Sequence, residues 1–210
     1  ISPIHGNLQV TEYSFPGPPS LVGKKIVMIS DLHYGFYFFE REARIVLDKV
    51  ASLKPDIVML PGDLTDKPTN DLSDFFFLYG DPPWKTYFSP GNHDKDSVSD
   101  FRVQEQVASL GWTSLCNDKV EFDDYVIVGM DSAMMGPVAP DLLHLAGHTH
   151  GGQILAFGQP IMLPTYGKIY TKGYYKRANN NHLIVGRGLG CKFVNVRVGA
   201  PPEIVSITFT

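Results

Sequence analysis

The sequence has 210 residues, 43% of them hydrophobic and 19% charged, with a net charge of −4 and a pI near 5.9. This length and composition predict a single folded domain spanning residues 1–210 and exclude intrinsic disorder. The acidic balance argues against a nucleic-acid partner, because such proteins need a basic excess to release counterions from phosphates.

The predicted elements alternate between strands and helices. Short β-branched runs bounded by Gly, Pro, Asp and Asn predict strands at Lys25–Ser30, Asp56–Pro61, Lys85–Pro90, Tyr125–Met130, Leu142–Ala146, Gln153–Phe157, Leu183–Val185 and Glu203–Phe209. Apolar residues at helical spacing predict a helix over Glu40–Leu53, which Pro55 ends. A second helix is expected from about Ser99 to Leu110. The first two strands and the helix between them form a βαβ unit, as in an α/β fold.

Membrane-spanning and disulfide-rich classes are also disfavoured. No apolar run reaches the roughly 18 residues that a spanning helix requires, although a signal or anchor ahead of Ile1 stays open. Cys116 and Cys191 are too few for a disulfide framework, so free thiols are expected.

Four polar clusters follow the ends of predicted strands, where ligand sites gather in open α/β sheets. They are Ser30-Asp31-Leu32-His33, Gly62-Asp63-Leu64-Thr65-Asp66, Gly91-Asn92-His93-Asp94 and Gly147-His148-Thr149-His150. Their Asp, Asn and His side chains suit divalent ions such as Mn²⁺, Zn²⁺ or Fe. Each cluster alone is commonly a helix cap or a solvated turn, whereas four clusters at strand ends of one chain predict a metal site.

In this order, the patterns D-x-H, G-D, G-N-H-D and G-H-x-H resemble the signature of the calcineurin-like metallophosphoesterases. The resemblance implies a hydrolase built as a four-layer αββα sandwich with two mixed β-sheets. It also implies two divalent ions, with Mn²⁺ expected and Mg²⁺, Zn²⁺ or Fe as alternatives. By that pattern six side chains would bind metal: Asp31, His33 and His150 the first ion, Asp63 both ions, and Asn92 and His148 the second. His93 would act in catalysis without binding metal, and Asp94 would orient it.

Further stretches resemble a membrane-linked bacterial subgroup: 148–153, 163–164, 186–190 and 201–204. Some of its members cut UDP-2,3-diacylglucosamine into lipid X and UMP in lipid A biosynthesis, and others are broader phosphodiesterases. The resemblance implies a lipid-linked, phosphate-containing substrate. It also implies a place at the cytoplasmic face of the bacterial inner membrane, peripheral or through an N-terminal anchor. The alternatives are a broad-specificity phosphodiesterase or phosphatase and a non-catalytic scaffold with the same fold.

One departure from the family pattern concerns a further metal-binding histidine, which normally precedes the G-H-x-H motif. Only His144 lies nearby, and it is interpreted as a packed histidine within its strand. The linker Asp131–Asp141 has 11 residues, fewer than a parallel crossover needs. We therefore expect a segment to be missing there, either deleted or left out between two ordered pieces.

Two other features stay open between a functional and a structural interpretation. The aromatic stretch Tyr34–Phe39 follows two proposed ligands and could line an apolar substrate groove or pack in the core. Arg187, in a glycine-rich setting, could bind a substrate phosphate or lie in a surface turn.

Overall fold

The computed structural model describes residues 3–67, 70–95, 102–130, 143–164, 167–178 and 180–210. The helices are α1 (Glu40–Leu53), α2 (Ser73–Tyr79) and α3 (Arg102–Ser109). The strands are β1 (Gln9–Phe15), β2 (Lys25–Met28), β3 (Ile57–Pro61), β4 (Lys85–Ser89), β5 (Thr113–Ser114), β6 (Asp118–Glu121), β7 (Val126–Gly129), β8 (Leu143–Ala146), β9 (Leu155–Ala156), β10 (Gln159–Pro160), β11 (Gly173–Lys176), β12 (His182–Val185) and β13 (Glu203–Phe209). Short 3₁₀ turns lie at Pro19–Leu21 and His150–Gly152.

Two mixed sheets organise these strands. The larger has six strands in the order β1-β13-β2-β3-β4-β5, with β13 antiparallel to β2 and the other neighbours parallel. The smaller has the order β11-β12-β8, in which β12 runs parallel to β8 and antiparallel to β11. The pairs β6-β7 and β9-β10 form separate hairpin ladders. The expected α/β fold with two mixed sheets is confirmed.

The alternation of side chains along β2 explains the layering. Val27 points into a core cluster that contains the buried faces of α1, α2 and α3. Its neighbours Ile26 and Met28 point the other way, into a second cluster that contains Ile184 of β12. Helices, large sheet and small sheet therefore form three successive layers. The helix layer expected beyond the small sheet has no counterpart among the described residues.

Helix α1 has the bounds that the sequence predicts. At its start the Glu42 carboxylate accepts the backbone N–H of Phe39 at 3.2 Å. At its end Lys54 adopts a left-handed conformation, with φ 52°, directly before Pro55. The predicted strands are also present with ends shifted by a few residues, whereas β1, β5, β6, β10, β11 and α2 were not predicted.

The expected crossover between β7 and β8 takes a different form. Strand β7 pairs antiparallel with β6, and β8 pairs with β12 in the other sheet, so the two strands are not neighbours. The segment Asp131–Asp141 lies outside the described residues. In the described ranges no helix is both long and apolar enough to cross a membrane. Both cysteines are free, as expected.

Candidate metal centre

The polar clusters meet at one edge of the large sheet. Asp31 and His33 follow β2, Asp63 follows β3 and His93 follows β4, and these three strands are parallel neighbours. Their loops are joined by backbone hydrogen bonds, including His33 N–H to the Asp63 carbonyl at 3.0 Å. From the smaller sheet, the turn after β8 adds His150. The site therefore forms where the carboxyl ends of both sheets converge.

Five of the expected metal ligands have a left-handed backbone with positive φ. They are Asp31 (52°), His33 (50°), Asp63 (49°), His148 (76°) and His150 (51°). This conformation is uncommon for residues with a side chain and costs about 1 kcal/mol or more at each position. Such strain persists where the surrounding structure enforces it, and its concentration in these turns is typical of a functional site.

Two motif glycines let the carboxylates come this close to the neighbouring loops. A Cβ atom on Gly91 would lie 2.1 Å from Oδ1 of Asp63, and one on Gly147 would lie 2.3 Å from Oδ2 of Asp31. Real side chains do not tolerate such approaches, so both positions require glycine on packing grounds.

The ligand atoms form two overlapping groups, Asp31-His33-His150 and His33-Asp63-His93, each with its atoms within 4.8 Å of one another. Nε2 of His33 lies 3.0 Å from Nε2 of His150 and 3.7 Å from Oδ2 of Asp63. Nε2 of His150 lies 4.0 Å from Oδ1 of Asp31. Imidazole nitrogens and carboxylate oxygens converging from four loops are a donor set that fits divalent transition metals.

Electrostatics favour a cation among these groups. Burial, followed by the charge of Asp63, raises the pKa of Asp31 to about 7. Burial lowers the pKa of His33 and lowers that of His150 well below its usual value, so both imidazoles are held neutral, the form that binds metal. A divalent cation would relieve the repulsion between the two carboxylates and use the neutral nitrogens.

Asp66 is a site residue to which the sequence alone assigned no role. Its Oδ1 lies 3.5 Å from Nδ1 of His33 and also pairs with Nζ of Lys192. The neighbouring His33 ring is the main cause that lowers the pKa of Asp66, so Asp66 remains a carboxylate. A carboxylate behind a metal-binding histidine fixes the tautomer and directs the other ring nitrogen at the metal. The sequence feature that could have indicated this role is the position of Asp66 in the cluster Gly62-Asp63-Leu64-Thr65-Asp66, three residues after a proposed ligand.

Asp94 does not orient His93 in the way that was expected. Its two carboxylate oxygens accept the backbone N–H groups of Gly91 at 2.8 Å and Thr65 at 3.0 Å. The His93 ring instead has Nδ1 3.0 Å from the carbonyl oxygen of Asp66, and the backbone N–H of His93 donates to Asp63. Asp94 is fully buried and ties together the two loops that carry Asp63 and His93. It therefore positions the site through the backbone.

Arg197 supports His150 from outside the centre. Its guanidinium donates to Nδ1 of His150 at 3.2 Å, to the carbonyl of Arg187 at 2.8 Å and to that of Ala200 at 3.1 Å. It also donates to the carbonyls of Gly190 and His150. No sequence motif indicates this role, because a lone arginine in a valine-rich stretch resembles any surface residue.

The residues expected at a second ion are less tightly assembled. His148 is half-buried at the edge of the cavity and its backbone N–H donates to Asp31 at 2.6 Å, whereas Asn92 is exposed. His144 lies within β8 opposite Leu183, outside both ligand groups, in agreement with its interpretation as a packed histidine. Asp63 shares its ligand group with His93 and His33, and His33 also belongs to the group that contains Asp31 and His150.

A cavity of about 350 Å³ opens directly over this centre. The polar floor includes His33, Asp63, His93, His148 and His150. Besides Ile154, the apolar part of the lining comes from two segments, with Ile161, Met162, Leu163 and Pro164 in one and Phe193 and Val194 in the other. We call these six residues the apolar wall.

The aromatic stretch Tyr34–Phe39 does not supply this wall. Tyr34 and Phe38 are buried in the core beneath the helices. Phe36 lies under Lys192, with Nζ 5.4 Å from the ring centroid. An apolar groove beside the metal ligands is therefore present, but residues more than 120 positions later in the sequence form it.

Arg187 has a structural role. It pairs with the buried Glu203 at 3.0 Å and donates to the carbonyl of Pro201 and to the side chain of Gln9. These contacts hold β13 and the N-terminal strand together, and they engage Nε and Nη2 of the guanidinium. The alternative of a phosphate-binding Arg187 is not supported by this geometry.

The α/β fold and the clustered Asp and His side chains define a metal-dependent hydrolase. Residues 24–178 match the calcineurin-like phosphoesterases, and the chain belongs to this family. Members of this family bind divalent metals and hydrolyse phosphoesters, so the protein is a metal-dependent phosphoesterase.

Several curated relatives align with most of this chain. It is 29% identical to "Uncharacterized metallophosphoesterase YkuE" of Bacillus subtilis, over 96% of this chain and 85% of that protein. It is 28% identical to "Uncharacterized metallophosphoesterase Cj0846" of Campylobacter jejuni, over 86% of this chain and 58% of that protein. It is 26% identical to "Transmembrane protein with metallophosphoesterase domain" of Danio rerio, over 90% and 54%. The chain thus spans little more than half of the latter two.

The chain lacks residues that its Bacillus relative carries inside the aligned region. That alignment extends over 245 positions, 35 more than the 210 residues of this chain. At least that many aligned positions therefore have no counterpart here.

Proposed function

We propose that this protein hydrolyses the pyrophosphate bond of UDP-2,3-diacylglucosamine, releasing lipid X and UMP, and so acts in lipid A biosynthesis. The observation that carries this proposal is the apolar wall, which faces the Asp and His side chains across one cavity. A soluble phosphodiester gives no reason for six apolar residues beside a polar metal centre, whereas an acylated substrate would bury them. Each acyl CH₂ removed from water contributes roughly 0.8 kcal/mol.

In the proposed arrangement the centre holds two divalent ions, with Mn²⁺ as the favoured metal. Asp31, His33 and His150 would hold the first and Asn92 and His148 the second, with Asp63 contributing to both. When bound, the ions would lower the pKa of water and neutralise phosphoryl oxygens.

The side chains of this chain perform the remaining steps. Asp66 holds the His33 ring in the orientation that presents Nε2 to the centre. His93 lines the cavity with its Nδ1 3.0 Å from the Asp66 carbonyl, and in this proposal it donates a proton to the leaving-group oxygen. The apolar wall excludes water and holds the acyl chains so that the pyrophosphate lies over the metal ligands.

We further propose that the protein works at the cytoplasmic face of the bacterial inner membrane, peripherally or through an N-terminal anchor. A diacylated substrate resides in a membrane, so its hydrolase must reach the lipid surface. Relatives from Danio rerio and Bos taurus are both named "Transmembrane protein with metallophosphoesterase domain". These names describe membrane proteins that carry a related domain.

The test compares UDP-2,3-diacylglucosamine with UDP-glucosamine at one Mn²⁺ concentration. The acylated compound is expected to have the higher kcat/KM by orders of magnitude. The variant Phe193→Ser should lose most of this preference and keep its activity on UDP-glucosamine, whereas the exposed Phe77→Ser, on α2, should keep both. Equal efficiencies for the two compounds would reject the lipid substrate and favour a broad-specificity phosphodiesterase. Metal binding without hydrolysis of either compound or of bis(p-nitrophenyl) phosphate would favour a scaffold.

A further inference from the structure

Large apolar side chains are exposed on the segments that form the cavity. Ile161, Met162 and Phe193 line it, and all three are mostly exposed. Phe157 is fully exposed at the tip of the β9-β10 hairpin, whose base is closed by the Ile161 N–H donating to the carbonyl of Ile154, a cavity residue. Ile169, 79% exposed, follows Gly167, whose N–H donates to the carbonyl of Pro164 in the apolar wall. We call these five residues the apolar rim, and exposed apolar residues gathered in this way mark an interaction site.

The two halves of the rim are held rigidly by Gln153. Its side-chain amide donates to the carbonyls of Lys192 at 2.9 Å, Val194 at 2.9 Å and Val196 at 3.1 Å. Its side-chain oxygen accepts the backbone N–H of Lys192 at 2.7 Å. The loop that carries Phe193 is thereby fixed against the segment that leads into the hairpin. The rim is a preformed surface, which avoids an ordering cost on binding.

Acidic and basic residues are unevenly distributed along the sequence. Residues 143–210, which include the whole rim, contain seven Lys or Arg and one acidic residue, a net charge of +6. Residues 1–142 contain 11 basic and 21 acidic residues, a net charge of −10. The single acidic residue of the C-terminal part, Glu203, is buried and pairs with Arg187. Of the seven cations, Arg187 pairs with Glu203, Lys192 pairs with Asp66 and Arg197 donates to backbone carbonyls, whereas Lys168, Lys176 and Arg177 are exposed.

Two of these cations lie in the loop that carries Ile169. Lys168 is exposed and adjacent to Ile169. Lys172 follows Thr171, whose carbonyl accepts the hydroxyl of Thr149 beside the metal ligands. Lys192 lines the cavity next to Phe193, and its charge is paired with Asp66. Apolar side chains flanked by lysines are the combination that binds at the interface of an anionic bilayer.

We propose that the apolar rim docks on an anionic lipid bilayer and places the cavity mouth against the membrane surface. Phe157, Ile169 and Phe193 enter the boundary between headgroups and acyl chains, while Lys168 and Lys172 contact the anionic headgroups. A second copy of this chain is a poorer occupant, because a symmetric contact would bring two cationic surfaces together. This docking assigns the membrane contact to residues of the phosphoesterase domain itself, and it requires no turnover.

The test is sedimentation of the metal-loaded protein with vesicles of equal parts phosphatidylcholine and phosphatidylglycerol, and with vesicles of phosphatidylcholine alone. The protein should bind the anionic vesicles more tightly. Phe157→Ser should weaken binding on the order of tenfold, from the apolar area lost. Phe77→Ser is the matched control, since Phe77 is 86% exposed on α2 and lies outside the rim. It should bind as the parent protein does.

The charge component has its own pair of variants. Lys168→Gln/Lys172→Gln should weaken binding to anionic vesicles by about fivefold per lysine, whereas Lys54→Gln/Lys85→Gln, two exposed lysines of the acidic part, should not. Hydrolysis of bis(p-nitrophenyl) phosphate by Phe157→Ser should equal that of the parent, which separates docking from catalysis.

Three results would overturn the docking proposal. They are failure of the active parent protein to sediment with anionic vesicles, equal loss of binding in the rim variant and its control, and a rim-dependent dimer in solution that excludes vesicles. None of them bears on the hydrolysis assay, so docking and the proposed reaction can fail independently.

Discussion

Replacing Asp63 by asparagine is expected to stabilise the metal-free protein while removing most of its stabilisation by Mn²⁺. Asparagine keeps the shape of the side chain and an oxygen for the His93 backbone N–H, which Asp63 accepts at 2.9 Å. It removes a negative charge that, after burial, is the next cause raising the pKa of Asp31 and of Asp94. In the native protein the Asp63 carboxylate therefore repels the carboxylates of Asp31 and Asp94, and a bound cation would offset this repulsion.

The order of magnitude of both effects follows from Coulomb's law. Two like charges a few ångströms apart repel by roughly 2 to 4 kcal/mol at an effective dielectric constant of about 20. Since a pKa of about 7 leaves Asp31 about half protonated at neutral pH, the relief in Asp63→Asn is smaller, roughly 1 to 2 kcal/mol. For a domain of this size that raises Tm by about 2 to 8 °C. Mn²⁺ at about 100 times its Kd should stabilise the parent protein by about 2.7 kcal/mol.

Thermal unfolding followed by circular dichroism, once in EDTA and once in Mn²⁺, measures both effects. The control is Asp48→Asn, which removes an exposed carboxylate on α1 and should change neither Tm. The reasoning is refuted if Asp63→Asn has a lower Tm than the parent in EDTA, or if Mn²⁺ raises the Tm of both proteins equally.

The pH dependence of the metal-free protein gives a second readout of the same repulsion. The folded protein keeps Asp31 protonated up to its raised pKa of about 7, whereas the unfolded chain releases that proton near the ordinary pKa of 3.8. Between these values the folded state binds more protons, so the free energy of unfolding should fall as pH rises from about 4 to about 7. In Asp63→Asn the pKa of Asp31 is lower, and the fall should be shallower. An identical slope in both proteins would contradict the coupling.

Three further variants test individual roles. His93→Ala should bind Mn²⁺ normally in metal analysis and lose about 10²- to 10⁴-fold in kcat on bis(p-nitrophenyl) phosphate; parallel loss of metal and activity would assign it as a ligand instead. Asp66→Asn should weaken Mn²⁺ affinity about 10- to 100-fold in a calorimetric titration, while the exposed Asp71→Asn should not. Asp94→Asn should lower stability in urea by about 1 to 3 kcal/mol, because one amide oxygen cannot replace two oxygens that accept backbone N–H groups; an unchanged midpoint would argue against the proposed tie between the loops.

Several parts of this protein follow from local patterns in the sequence. Helix α1 has the predicted bounds, because apolar spacing and Pro55 act within one segment. The metal-capable side chains fall at strand ends, because a buried strand must be followed by a turn, and the turns carry the Asp and His residues. The family could be recognised for the same reason, since its motifs are short and contiguous.

Only the tertiary structure decided which distant residues meet. His33 and His150 are separated by 117 positions in the sequence, yet their Nε2 atoms lie 3.0 Å apart. The partners of Asp94 and Arg197 are backbone groups of other loops, and no local pattern encodes such contacts. The apolar wall likewise comes from residues after position 160, because the packing of two sheets brings that segment over the centre, whereas the nearer aromatic residues Tyr34 and Phe38 are buried beneath the helices. Local chemistry thus determined which residues could bind metal, and the folding of the chain around two sheets determined what stands beside them.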